Sequence, residues 1–286
     1  MKNVNEKTPQ RILFVMALSS ISILILMTVF ILIQGLPIIS KVGFMNFVFG
    51  MRWAPGKGEF GIFPMIIGTL TVTLGAAVLG IPVGICVSIF LTEFAPLKLR
   101  SFFRSMIQLL AGIPSVVYGF WGLLFVVPLI RNYLGGPGLS ILAGSIILAI
   151  MILPTVVSIS ENAISSVPHE YREASYAIGA NKRETATHVL IPAAKSGILA
   201  SVILGMGRAI GETMAVLMIT GNVALLPQSI LDPVATLTGT IALEMGYADA
   251  THQQALFAVG IVLFCIIFIL NIVARFVVSR MGAGGK

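Results

Sequence analysis

At 286 residues, 57% of them hydrophobic and only 10% charged, with a mean hydropathy of +1.01, the chain is unlike a soluble globular domain, where about 25% of residues are charged. A formal charge of +7 and a pI near 9.7 would suit nucleic acid if the basic residues formed one patch, but they are spread over loops between apolar runs. Six of those runs reach the roughly 20 residues that cross a bilayer, so the expected fold class is an all-α membrane protein with six transmembrane helices, near residues 12–33, 62–91, 102–130, 139–160, 196–221 and 255–278.

The first run follows a basic start but exceeds the roughly 7–15 apolar residues of a signal-peptide core, and no small-x-small site follows cleanly. It reads as an uncleaved anchor. In the outer loop behind it, Phe44, Phe47, Phe49 and Trp53 suit an interfacial aromatic belt. Residues 1–61 therefore form an anchor-and-loop unit ahead of a core of residues 62–286. The second and third runs are longer than a straight span requires, which predicts tilt, kinking or extension into the interface. Gly80-x-x-x-Gly84 in the second run permits close helix approach. Gly112, Pro114 and Ser115 in the third can interrupt the helix. They act either as a simple kink or by freeing N–H groups that attract an anion. Cys86 and Cys265 fall inside spans without a CxxC motif and read as small apolar packers. His169, His188 and His252 are scattered and make no metal constellation.

A long polar loop, residues 161–195, joins the fourth and fifth runs and holds Glu161, Glu170, Glu173 and Glu184. Pro168 suits the start of a short helix and Gly179 its end. A second short helix is expected from Asn181 to Ile191, closed by Pro192. The first helix places Tyr171, Ala174, Ser175 and Ile178 on one side, a face that fits a partner's groove. The plainer alternative is a solvated amphipathic linker.

Arg208 and Glu212 lie in the fifth run, where one ionisable group costs about 2.5–3.5 kcal/mol on insertion scales, and such groups usually face a polar path or a partner. Spacing of i, i+4 puts both on one helical face, able to neutralise each other. A guanidinium presents a planar fork to two oxygens of an oxyanion and stays charged. The pair is thus either a waypoint for an anion or an ion pair locking two helices. Gly207 and Gly211 flank it, and close packing there would shield it from lipid. In the outer loop beyond, Val234, Leu237, Ile241 and Met245 recur at helical spacing. Residues 233–246 are therefore expected as an amphipathic helix near the outer surface.

With the amino terminus inside, Lys2, Lys7, Arg11, Lys98, Arg100, Arg104, Arg172, Lys182, Arg183, Lys195, Arg275, Arg280 and Lys286 fall on the cytoplasmic side. Only Lys41, Arg52, Lys57 and Arg131 fall outside. That positive-inside bias places both termini in the cytoplasm.

Glu173-Ala174-Ser175, three residues, Gly179, nine residues, then Val189-Leu190-Ile191-Pro192 resembles the EAA signature of ABC importer permeases, Glu-Ala-Ala-x3-Gly-x9-Ile-x-Leu-Pro. Ser175, Val189 and Ile191 replace Ala, Ile and Leu. The stretches Ala111-Gly-Ile-Pro-Ser-Val-Val-Tyr-Gly-Phe-Trp-Gly-Leu123, Gly207-Arg-Ala-Ile-Gly-Glu-Thr-Met-Ala-Val216 and Leu237-Thr-Gly-Thr-Ile-Ala-Leu-Glu-Met-Gly246 look like the permease subunits of bacterial phosphate importers, the last favouring the PstC type. The resemblance implies a type I ABC importer permease architecture in the bacterial inner membrane, with Glu173, Ala174, Ser175, Gly179 and Pro192 in a cytoplasmic coupling element. It also implies a second homologous permease subunit, two copies of a cytoplasmic ABC ATPase that uses ATP and Mg, and an extracytoplasmic phosphate-binding protein. Sulfate and molybdate permeases carry a similar Arg-Ala-(Leu/Ile)-Gly-Glu run, so that motif leaves the anion open. An ion-coupled secondary anion carrier and a non-transporting scaffold are the rivals from other classes. A Walker A loop needs GxxxxGK followed by Ser or Thr. The closing Gly284-Gly285-Lys286 lacks it, so no cofactor is expected on this chain and ATP hydrolysis is assigned to partners.

Overall fold

The computed structural model describes residues 7–283; Lys2, Lys286 and the Gly284-Gly285-Lys286 end lie outside them. Five helices are long and apolar enough to cross a membrane, and a bent pair makes a sixth. Helix α1 (Lys7–Val42) stands mostly exposed and meets α14 (Ala250–Ala283). At Gly35 a Cβ would lie 2.8 Å from the backbone nitrogen of Ala258, so the two backbones almost touch. The first outer loop folds into α2 (Phe44–Phe49) and a hairpin of β1 (Trp53–Ala54) with β2 (Glu59–Phe60), Trp53 opposite Phe60. Phe44 and Phe49 are exposed as a belt requires, but Phe47 is buried against Ile38, Ile62 and Val259. Trp53 donates its indole N–H to Glu244 at 2.9 Å. Half of the expected belt is therefore packing.

Helices α3 (Phe63–Ile89) and α7 (Ile141–Ser165) form the central pair. Small residues let them close: a Cβ on Gly80 would sit 2.9 Å from the Ala149 carbonyl oxygen, and one on Gly84 would sit 2.7 Å from Val156. The Ser145 hydroxyl crosses the same seam to the Val72 carbonyl at 3.3 Å. Backbone proximity of this kind replaces the hydrophobic drive that lipid cannot supply. Ser140 caps α7 by accepting from the Ala143 N–H. At its other end α7 runs past the expected boundary to Ser165, which puts Glu161 in the helix rather than in a loop. Glu161 is buried and accepts from Arg100 at 3.3 Å and Arg104, 2.7 Å away, both on α4 (Leu97–Gly112).

The third apolar run is not one helix. Helix α4 ends at Gly112, and the span proper is α5 (Ser115–Trp121), a wide i→i+5 turn at Gly122–Val126, and α6 (Val127–Tyr133). Pro114 has no N–H and pushes Ile113 out of helical geometry, to φ −70° and ψ 127°. The fifth run is also divided. The coupling region comprises α8 (His169–Ala177), α9 (Lys182–Thr185), a wide turn Ala186–Leu190 and α10 (Ile191–Ala193). After a 71° bend comes α11 (Lys195–Gly211), then α12 (Met214–Ile219). A hydroxyl pair, Ser160 with Ser201 at 2.7 Å, holds α11 to α7. The helix expected near the outer surface, α13 (Leu237–Glu244), is instead inserted into the bundle, with Leu237, Thr238, Gly239 and Thr240 buried. Its first turn is small and hydroxylated, and so fits a crowded interior better than a lipid boundary.

The glycine seam predicts an asymmetric pair of substitutions. Gly80→Val forces the Ala149 backbone aside and should destabilise the purified chain by about 1–3 kcal/mol. Gly207→Ala, inside α11 where a Cβ meets nothing within 4 Å, should instead stabilise it slightly, by up to about 1 kcal/mol, because alanine is the better helix former. Thermal melting in detergent reads the difference.

Candidate functional site

Two helix interruptions lie side by side. The first separates α4 from α5, and the Tyr118 hydroxyl spans it, donating to the Leu110 carbonyl at 2.8 Å. The second falls at Glu212 and Thr213, between α11 and α12, where Glu212 is extended at φ −68° and ψ 132°. Gly119 of α5 brings the two together: a Cβ there would be 2.9 Å from the Ala215 Cα of α12. The opened backbone is resupplied locally, as lipid requires. The Thr238 hydroxyl from α13 donates to the Glu212 carbonyl at 2.8 Å, the Thr213 hydroxyl donates to that of Gly211, and the Glu212 carboxylate accepts from the Ala215 N–H at 3.2 Å.

This break changes the relation between Arg208 and Glu212. The expected i, i+4 pairing needs a continuous helix, but α11 stops at Gly211, and among the described residues no ion pair joins the two. Arg208 instead donates to the Thr155 hydroxyl of α7 at 3.3 Å. Its guanidinium is exposed on the surface of this chain. Glu212 is half-buried beside a small pocket shared with Thr69, Thr73, Thr236 and Thr238. The side chains are thus separately held: a cation steadied by one hydroxyl, and a carboxylate fixed by one backbone N–H. Gly207 and Gly211 do not pack closely within this chain, because a Cβ at either meets nothing within 4 Å. The sequence pointed to Arg208 and Glu212 but not to Tyr118, Thr155 or Thr238. Tyr118 carried a faint signal, standing four residues after a span-breaking proline.

The coupling region is built from local caps. Helix α8 ends in a Schellman arrangement: the Ala180 N–H donates to the Ser175 carbonyl, the Gly179 N–H to that of Tyr176, and Gly179 sits at φ +90°. Asn181 and Glu184 then form a capping box that starts α9. Ser175, expected on the outward face, is turned in. Its hydroxyl pairs with that of Thr185 at 2.8 Å, both buried, which accounts for a serine where the signature has alanine. Tyr171, Ala174 and Ile178 remain outward as an apolar face, and Glu173 is exposed beside them. Pro192 does not close the second helix as expected but sits in the first turn of α10, where its missing N–H costs nothing, two residues before the bend at Ala194.

The fold, a bundle of spans with a capped helical knob between two of them, is that of a type I ABC importer permease. The chain belongs to the family described as binding-protein-dependent transport system inner membrane component, whose model matches residues 80–283. It is 38% identical over 286 residues to the probable ABC transporter permease protein YqgH of Bacillus subtilis (strain 168), covering 98% of this chain and 93% of that one. It is 35% identical over 266 residues to the phosphate transport system permease protein PstC of Mesorhizobium japonicum, covering 86% and 81%. With the PstC of Xylella fastidiosa (strain Temecula1) it shares 34% over 257 residues, covering 83% and 79%. Among solved structures, the alginate ABC transporter matches with TM-score 0.64 at 14% identity over 98% of both chains. The inward-facing MetNI methionine ABC transporter matches with TM-score 0.62 at 19%, over 80% of this chain and 99% of that one. These structural likenesses speak to the fold.

The Ser175–Thr185 pair has a measurable consequence. Ser175→Ala strands a buried hydroxyl and should weaken the knob by about 1–3 kcal/mol. Adding Thr185→Val should recover most of that. Amide hydrogen exchange across residues 171–190 checks both: roughly tenfold faster in the single variant for each 1.4 kcal/mol lost, and near wild type in the double.

Proposed function

We propose that this chain is the permease subunit of an ATP-driven importer that moves inorganic phosphate across the bacterial cytoplasmic membrane, with both termini inside. The observation that carries the reading is the similarity, over more than four-fifths of the chain, to permeases named for phosphate transport. The working complex then holds a second homologous permease, two copies of a cytoplasmic ABC ATPase and an extracytoplasmic phosphate-binding protein. The ATPases supply the Mg and ATP chemistry. The outward face of α8, with Ala174 in it and Glu173 beside it, is the part that docks on them, while Ser175, Gly179 and Pro192 maintain its shape.

Arg208 is the waypoint for the anion. Its fork matches two oxygens of a tetrahedral oxyanion, and its placement on the side of the chain suits a path shared with the second permease. Glu212, set apart from Arg208 by the helix break, is an acceptor for the P–OH of hydrogen phosphate, a proton that sulfate lacks. One cation and one acceptor bind weakly enough for the ion to leave, as transport requires. The interruption at Gly112, Pro114 and Ser115 serves this site indirectly, by letting α5 approach α12.

Radiolabelled phosphate uptake by the assembled complex, with sulfate and molybdate as competitors, tests the reading. Arg208→Lys should slow uptake by about tenfold or more, since a hydrogen bond to a charged group is worth roughly 1.5–3 kcal/mol. Glu212→Gln should narrow the preference for phosphate over sulfate. Wild-type rates in an assembled Arg208→Lys complex, or inhibition by sulfate or molybdate equal to that by unlabelled phosphate, contradict it.

A further inference from the structure

The inner ends of the two central helices meet at one side chain. Helix α3 runs beyond Ile89 into a wide i→i+5 turn, Phe90–Phe94, which carries Glu93. Arg172 of α8 reaches that carboxylate at 2.9 Å. The same guanidinium donates to the Val167 carbonyl at 3.0 Å and to the Ile164 carbonyl, in the last turn of α7, at 3.3 Å. Both charged side chains are almost enclosed, with exposures of 12% for Arg172 and 9% for Glu93. Among the described residues, the other side-chain hydrogen bond of α8 is Ser175 to Thr185, which stays within the knob. Arg172 is thus the one α8 side chain hydrogen-bonded to α3 and to the end of α7. Helix α7 in turn carries Thr155, the hydroxyl that holds Arg208, about 15 Å along the axis from Ser165 at 1.5 Å per residue.

We propose that Arg172 is a positioning residue for coupling: gripped by Glu93 and the α7 carbonyls, it converts displacement of α8 into movement of the α3–α7 pair and hence of the Arg208 site. The inference rests on the importer reading above. A single contact of this kind works because ridged, glycine-seamed helices move as units rather than deforming. An exposed ion pair would slip, but this one is held by three acceptors at low exposure, and an unpaired Glu93 left there would be strongly unfavourable.

The test uses the whole complex in proteoliposomes and reads phosphate imported per ATP hydrolysed. Arg172→Met combined with Glu93→Gln removes both charges together, so no buried charge is stranded and the ATPase should still co-elute with the permeases. The imported-to-hydrolysed ratio should fall about fivefold or more, the low end of ordinary coupling energies, while ATP turnover persists. A wild-type ratio in the assembled double variant overturns the proposal. Should that variant fail to assemble, Arg172→Lys, which keeps the charge and loses the fork, decides instead: an intermediate ratio supports the grip, and an unchanged ratio overturns it. The wild-type arm is run with phosphate, sulfate and molybdate separately, and the ratio is taken on the anion that moves. A wrong substrate therefore sinks only the phosphate reading, whereas an unchanged ratio sinks only the role of Arg172.

Discussion

The contact on which the rest depends is the seam between α3 and α7, where Gly80 and Gly84 let one backbone lie against Ala149 and Val156 of the other. In lipid, apolar side chains gain nothing by leaving the tails for a neighbouring helix, so association relies on close van der Waals fit and on hydrogen bonds between helices. The seam supplies both, through its missing side chains and through Ser145 on the Val72 carbonyl. Other elements are then fixed against it. Helix α11 is tied by Ser160 and Ser201, α4 by Arg100 and Arg104 on Glu161, and α8 by Arg172 on Glu93.

A rigid pair in the middle permits irregular backbone beside it. The chain opens its helices twice, at Ile113–Pro114 and at Glu212–Thr213, and packs the two openings together at Gly119 and Ala215. Each opening is bridged by a side chain from its own neighbourhood or from α13: Tyr118 on Leu110, Thr238 on Glu212. Such backbone is tolerated at membrane depth where protein or a polar cavity covers it. Arg208 stands next to this region and outside any ion pair among the described residues. That leaves the guanidinium exposed, as the proposed anion path requires.

What the sequence disclosed divides by range. The ends of α8 were legible, because Pro168 and Gly179 act through caps that span only a few positions. The inward turn of Ser175 was not, since its partner Thr185 comes from the next helix, and the second helix, expected unbroken from Asn181 to Ile191, opens into a wide turn at Ala186–Leu190. The spans were legible from run length. The break at Thr213 was not, since Gly211-Glu212-Thr213-Met214 contains no proline and its extended backbone is held by Thr238, which arrives from a distant helix. Glu161 was expected in a loop because the apolar run ends at Ser160; the neutralisers that let it continue the helix buried lie on α4, 57 and 61 positions away. Helix α13 showed an apolar stripe that suited a membrane surface. Only its Thr238-Gly239-Thr240 turn hinted at the crowded interior it occupies. Short-range chemistry was readable; long-range partners were not.

If the knob docks on an ATPase as proposed, its motion must change the exposure of the break beside Arg208. Gly211 is open to a new side chain, and Cys86 and Cys265, which lie on the outside of the chain rather than packed within it as expected, are replaced so that one thiol remains. The direct measurement therefore places a single thiol by Gly211→Cys in a chain with Cys86→Ser and Cys265→Ser, and labels it with a membrane-impermeant maleimide from each side. With the assembled complex in nucleotide-free and vanadate-trapped states, the account predicts that the reactive side switches between them. The same side and the same rate in both states would contradict it.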